Sequence, residues 1–402
     1  MPLKIRKKRK FQMNQPILTD ISDEIIKIRR HLHQYPELSF QEFETSEYIR
    51  SVLDDWGISY QTIGETGIYV DIVGLSDGPA IGLRADIDAL PINEESDVDF
   101  ISKKNHIMHA CGHDGHTAIL LGAVYELDKH KELLNGTVRC IFQPGEEADG
   151  AALALIEKGV LANPTIKAVV GLHVWPYIPF GAVGIKEGSI TASCDDFKII
   201  IKGQGGHSAR PHQAVDAIAI SAQLIQNLQT ITAKSFNPVH PMVIHVGKIT
   251  GGEASNVVAD TVVLEGTVRA LQPDVRKKLR TEIEKVCKVA EAQWNAKVEV
   301  NFIFGAPPIE NDRFITKEFE ELATQLLGVE NVFELKDPSM GADDFGYFSE
   351  AVPSLYFRLG IKKENEISYD LHHPKFHFDD KVLATGVNLY VNFAIKLLKN
   401  IR

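Results

Sequence analysis

Four short segments of this chain concentrate residue types that bind divalent cations and move protons. They are Arg84-Ala-Asp-Ile-Asp88, His109-Ala-Cys-Gly-His-Asp-Gly-His116, Gln143-Pro-Gly-Glu-Glu147 and Leu172-His-Val174. Cys111 and His113 stand two residues apart, with His109 and His116 close by on one glycine-containing loop. A solitary cysteine is most often a small buried hydrophobe; one set among histidines reads as a thiolate ligand. Cysteine, histidine and carboxylate together suit Zn²⁺, Mn²⁺, Co²⁺ or Ni²⁺. A thiolate can bridge two cations, and the donors present exceed what one catalytic ion needs. A pair of divalent ions that polarises a carbonyl and activates water is therefore expected.

Glu146 and Glu147 are adjacent, so in an extended segment their side chains diverge. One can ligate metal while the other faces water as general base, and crowding two carboxyls pushes their pKa values apart. Alone, such a pair is usually a solvated acidic patch; following a strand and Pro-Gly, near the other motifs, it reads as functional. His173 alone would pass for a satisfied core histidine. Near the C-terminus Leu371-His-His-Pro-Lys-Phe376 offers His372 or His373 as a late donor.

The elements that must position these residues alternate in type. Helical periodicity runs over 18–34 and 40–56, with strands at 67–73, 80–85, 137–142 and 169–174 and helices over 116–129 and 151–161. That alternation predicts an α/β layer on a mixed, largely parallel sheet. In such sheets ligands bind outside the carboxyl ends of the strands, where the four motifs would converge. The middle third differs: strand 197–203, helix 214–231, strands 242–249 and 261–271, helix 273–294 and strand 297–304. The order β-α-β-β-α-β is that of a ferredoxin-like unit. Strands near 332–335 and 354–358 and a helix at 381–398 resume the first pattern. A discontinuous metal-binding catalytic domain (17–193 and 306–402) with an inserted ferredoxin-like dimerisation or lid domain (194–305) is the simplest assembly.

The bulk properties exclude other classes. At 402 residues the chain is long for a single core. A net charge of −11 argues against a nucleic-acid partner, and no apolar run is long enough for a membrane span. Six of the first ten residues are Lys or Arg, but no apolar region follows, so 1–16 reads as a solvated basic extension. Four scattered cysteines (Cys111, Cys140, Cys194, Cys287) fit a reduced, cytoplasmic setting. Gly251-Gly252 and Gly203-Gln-Gly-Gly206 lack the strand–loop–helix context of a nucleotide cradle.

The motifs RADIDALP, MHACGHDGH, FQPGEEADGA, GLHVWP, GQGGHSARPH, EASNVVAD, MGADDFGYF and LHHPKF, in that order, resemble amidohydrolases of the dimetal exopeptidase superfamily. That branch includes hippurate hydrolases, N-acyl-amino-acid and auxin-conjugate hydrolases and N-acetyl-diaminopimelate deacetylases. The resemblance covers nearly all of the chain after residue 17. It implies two metal ions held by Cys111, His113, Glu147, His173 and His372, with Cys111 bridging. It further implies Glu146 as general base and Asp86 as a support of the site. His372 aligns with the histidine of a Leu-His-Ser-Pro-type motif, and His373 departs from it by taking the serine position. His207 matches a histidine that relatives present across a dimer interface to the oxyanion; on the residues alone it would be a turn residue. Asn256 and Arg269 match positions that hold a substrate carboxylate or oxyanion, although Arg269 on a strand would otherwise be a solvated face residue. The implied activity is hydrolysis of N-acyl amino acids by a homodimer or higher homo-oligomer.

Three rivals have distinct marks. A thiol hydrolase using Cys111 with His113 as base would survive chelation, and two positions apart on one loop is awkward for that hydrogen bond. A non-catalytic metal- or peptide-binding relative would lack a ligand or the base. A dipeptidase or exopeptidase would favour peptide amides.

Overall fold

The computed structural model describes residues 22–148 and 150–401. The basic stretch 1–16 and the first residues of the helix expected from Leu18 lie outside the described residues. The described chain opens with α1 (Ser22–Gln34) and α2 (Phe43–Asp55), then β1 (Gly67–Val73), β2 (Ser76–Asp86), α3 (His113–Lys129), β3 (Asn135–Gln143) and β4 (Ile166–Pro179). It continues through β5 (Ser193–Lys202), α4 (Ala217–Lys234), β6 (Met242–Gly251), β7 (Thr261–Ala270), α5 (Pro273–Trp294) and β8 (Lys297–Phe304). It closes with α6 (Arg313–Leu327), β9 (Ser354–Lys362) and α7 (Val382–Asn400).

The larger sheet runs β1-β3-β2-β4-β9 through its centre. β2 pairs with β3 and β4 in parallel, β9 joins β4 in parallel, and β1 is antiparallel to β3. Buried residues dominate the second half of β2 and nearly all of β9, as parallel strands covered on both faces require. α3 and α7 pack on this sheet through Ile119, Leu120, Val124, Leu383, Val387 and Val391, all fully or almost fully buried. Short strands at Gln61–Ile63, Val183–Ile185, Gly188–Ser189, Glu310–Asn311 and Val332–Glu334 extend its margins. Only the last of these coincides with a strand expected from the sequence, at 332–335; segments of two or three residues carry little of the period-two signal that would mark the others.

The second sheet has the order β6-β7-β5-β8, antiparallel throughout. Along β5 buried and more exposed positions alternate, and Phe197, Ile199 and Ile201 meet Ile220, Leu224, Leu279 and Ile283 of α4 and α5. The mixed, largely parallel sheet and the βαββαβ unit expected from the sequence thus both form. No helix among the described residues is long and apolar enough to cross a membrane.

Local differences from the sequence reading have physical causes. α3 starts at His113 rather than 116, so His113 and His116 lie in its first turn and not on a loop. Gly112 stands immediately before it at φ +87, a left-handed conformation that glycine adopts without strain. The helix expected over 151–161 stops at Glu157, two residues before Gly159 at φ +90. Glu146 and Glu147 occupy a single 3-10 turn rather than an extended segment.

Candidate metal centre

β2 ends on Asp86, β3 ends on Gln143 just before the Glu146 turn, and β4 carries His173. The N-terminus of α3 and the loop at 370–373 close on the same space. There the Cys111 Sγ lies 3.3 Å from His173 Nε2, and His113 Nε2 lies 3.9 Å from both Glu146 Oε2 and Glu147 Oε1. His372 Nε2 stands 3.4 Å from Glu147 Oε1. The donor atoms of Cys111, His113 and His173, of Cys111, Glu147 and His372, and of His113, Glu146 and Glu147 form overlapping triads within 4.8 Å.

The remaining hydrogen bonds decide which atoms are free to ligate. His113 donates from Nδ1 to the Asp88 backbone oxygen at 3.0 Å and to its Oδ1 at 3.2 Å. Its Nε2, like Glu147 Oε1, is buried without a hydrogen-bond partner among the described residues. His173 donates from Nδ1 to Val174 O at 2.7 Å, which turns Nε2 toward Cys111. Imidazoles anchored through one nitrogen with the other aimed at a shared space are what a metal site requires. His116 differs: Nδ1 donates to Asp86 Oδ1 at 2.6 Å and Nε2 accepts from Val174 N–H at 3.0 Å. Although it lies near Asp86 and His113, both of its nitrogens are committed, and its role is support.

The electrostatics point the same way. Burial, reinforced by Glu147, Glu146 and Asp86, pushes the Cys111 thiol far up; a bound cation reverses such a shift and yields the thiolate. Burial raises the Glu146 carboxyl well above its usual range, and Asp343, Glu147, Asp344 and Asp88 add to it. Burial holds His173 neutral. For His113 burial is outweighed by Asp86 and Asp88, which raise it to about 10, so its proton must leave as a cation enters. Cysteine, two imidazoles and a carboxylate around unpartnered buried atoms fit a divalent metal pair.

The site rests on a buried polar floor. Arg84 bonds Asp86 at 2.5 Å, Gln143 at 2.8 Å and Asp344 at 3.1 Å, and Gln143 bonds Asp344 at 2.7 Å. Tyr356 donates its hydroxyl to Asp343. Of the histidine doublet, His372 turns to Glu147, and its φ of +64 is a conformation that non-glycine residues hold chiefly where surroundings enforce it. His373 turns away: its Nδ1 accepts from Lys375 N–H at 3.0 Å and its ring stacks on Tyr369.

Two cavities open on this cluster. One of about 400 Å³ is bounded by Cys111, Glu146, Glu147, His173 and His372 together with Trp175, Tyr177 and Arg358. The other, of about 300 Å³, shares Glu146, Glu147 and His372 and reaches Arg269, whose Nη1 donates to Met340 O at 3.2 Å. His207 and Asn256 border neither cavity. They are exposed at a two-stranded ribbon, Gly206–His207 against Val257–Val258, where Asn256 O accepts from Ser208 N–H.

A family model, Peptidase family M20/M25/M40, matches residues 82–396. The chain belongs to this family. An N-acetyl-L-cysteine deacetylase of Bacillus subtilis is 41% identical over 97% of this chain and 92% of its own length. An Arabidopsis thaliana IAA-amino acid hydrolase, ILR1-like 2, is 35% identical over 94% of this chain and 86% of its own. A crystal structure of a dinuclear metal-binding M20 peptidase from Bacillus subtilis superposes with a TM-score of 0.84 at 34% identity, covering 95% of this chain and 99% of that one.

Several residues of this M20 chain that support the centre have no role in the sequence reading. Asp88 orients His113, and His116 ties Asp86 to β4. Asp343 and Asp344 sit beneath Glu146, and Arg358 faces the larger cavity. Asp88 and the Asp343-Asp344 pair lie inside motifs already singled out, so their position was a signal; nothing in the local sequence marks Arg358.

Proposed function

We propose that this M20-family hydrolase is a metal-dependent amidohydrolase that cleaves N-acyl amino acids to a carboxylate and a free amino acid. The observation that carries this reading is the convergence of Cys111, His113, Glu147, His173 and His372 on one space, with unpartnered buried donor atoms and Glu146 beside them. A bound divalent pair supplies Lewis acidity toward the scissile carbonyl and acidifies water. Glu146 takes the proton of the attacking water as the new C–O bond forms. It returns that proton to the amide nitrogen as the C–N bond breaks. Burial and the carboxylates around it raise its carboxyl above the ordinary range, the direction that suits a group that must also give its proton back. Asp86 keeps His116 and Arg84 in place, and Arg269 is available to the substrate carboxylate or oxyanion.

His207 and Asn256 reach the reaction from a second copy of the chain, a reading supported by their exposure away from their own site. The units are 17–193 with 306–402 and the insertion 194–305, through which a homodimer or higher oligomer forms. Ile303 and Phe304, 67% and 60% exposed at the end of edge strand β8, favour such a contact. Zn²⁺, Mn²⁺, Co²⁺ or Ni²⁺ all suit the donors. Four unpaired cysteines and a charge of −11 favour a cytoplasmic enzyme without nucleic-acid or membrane partners. The test is a panel of N-acetyl and N-benzoyl amino acids against dipeptides, with each candidate metal. Release of amino acid from the N-acyl series, abolished by a chelator, is expected. Activity confined to dipeptides, or indifferent to chelation, contradicts the proposal.

A further inference from the structure

One cation of the larger cavity has no task in this reaction. Arg358, on β9, is only 5% exposed. Among the described residues no acidic side chain pairs with it: burial lowers its pKa to about 10, and only Tyr356 opposes that. Of the five N–H donors on a guanidinium, one bond is made, from Nη2 to Ile190 O at 3.3 Å. The Trp175 ring lies 3.7 Å from Cζ and supports the group from one side. Arg358 pairs with His173 across the parallel ladder, so it stands one strand away from a candidate ligand on the same sheet face. A nearly buried cation without a counter-ion is costly to keep.

Two hydroxyls line the same cavity. Thr191 and Ser339 are joined by an isolated backbone bridge. Their oxygens accept from Ile309 N–H at 3.2 Å and Gly341 N–H at 3.0 Å, which leaves each hydroxyl proton to donate outward. In an N-acyl amino acid only the amide nitrogen and Cα separate the α-carboxylate from the scissile carbonyl. A carboxylate anchor must therefore stand close beside the metal ligands, as Arg358 does.

We propose that Arg358, supported by Trp175, binds the α-carboxylate of the substrate and restricts the enzyme to acyl amino acids with a free carboxylate. This rests on the N-acyl amino acid reading above, and it leaves Arg269, in the other cavity, to the oxyanion. The test compares N-acetyl-L-methionine with its carboxamide on metal-loaded wild type, Arg358→Met, Arg358→Lys and Arg269→Met. Arg358→Met is expected to reduce the acid-to-amide ratio of kcat/KM by about 10- to 100-fold, mostly through KM, the size of a lost charged hydrogen bond. Arg358→Lys restores part of the ratio, and Arg269→Met lowers both substrates alike. An unchanged ratio in Arg358→Met overturns the proposal, as does a changed ratio in Arg269→Met alone.

A second readout needs no turnover. Tryptophan fluorescence of Glu146→Ala, titrated with N-acetyl-L-methionine, should change saturably, and the change should vanish with added Arg358→Met or Trp175→Phe. Saturation without hydrolysis of any N-acyl amino acid by wild type would sink the reaction and keep the carboxylate site. Hydrolysis with the ratio intact in Arg358→Met would sink the carboxylate site alone.

Discussion

Around the ends of β2 and β3, His113 and His173 are gathered in one chain with one ring nitrogen already bonded and the other turned inward. On the ribbon beside the inserted sheet, His207 and Asn256 stand exposed and bond to the backbone of their own loop. The first region has its orientation secured before any ligand arrives, by Asp88, Asp86, His116 and Arg84. The second borders neither of the two cavities that open on the metal-ligand cluster. Burial with supporting hydrogen bonds fits a self-sufficient site, whereas under the proposed function the exposed pair would serve the site of a second copy.

This contrast can be broken at either region. The largest effect is expected from Glu146→Ala, which should lower turnover by about 10²- to 10⁴-fold while bound metal, counted by elemental analysis, stays at the wild-type level. Retained turnover would remove the base from the account. His207→Ala should lower kcat by roughly 10²- to 10³-fold, again with metal intact. Because that residue is expected to act across subunits, mixing Glu146→Ala with His207→Ala chains should recover activity, and mixtures as inactive as their parents would refute exchange. Asp88→Ala should weaken metal binding about 10- to 100-fold in a chelator competition, since His113 loses its orienting partner.

A smaller and separate effect concerns the inserted unit. Asp195 is bonded by Arg276 at 2.5 Å and Arg280 at 2.8 Å, and these bonds hold its carboxyl below the usual value against the opposing effect of burial. A folded pKa below the unfolded one stabilises fully above the ordinary aspartate range near about 4, and that stability is lost as pH falls through the folded value. Asp195→Asn should therefore cost about 3 kcal/mol at neutral pH in denaturant unfolding. The gap to wild type should close in acid, and a gap constant with pH would contradict the assignment.

Long elements with clear periods were legible in the sequence: α5 and β8 begin and end where expected, and the order β-α-β-β-α-β followed from them. The candidate metal donors Cys111, His113 and Glu147 could be picked out because they sit in dense local motifs, and their donor atoms fall in overlapping triads within 4.8 Å. What stayed hidden depends on partners distant in sequence. His116 resembles a ligand until both nitrogens are seen bonded to Asp86 and Val174. Arg358 looks like any strand arginine until Trp175 is found beneath it. The turn at Glu146 likewise follows from Gly145 at φ +67, packed against Phe40, a contact across more than a hundred residues.

The most direct measurement of the central claim strips the protein of metal and titrates it with Mn²⁺, Zn²⁺, Co²⁺ or Ni²⁺. Bound ions per chain and hydrolysis of an N-acyl amino acid are followed together. Activity should be absent at the start and rise to a plateau as binding approaches two ions per chain. Full activity in the metal-free protein, or saturation of binding with no hydrolysis, would contradict it.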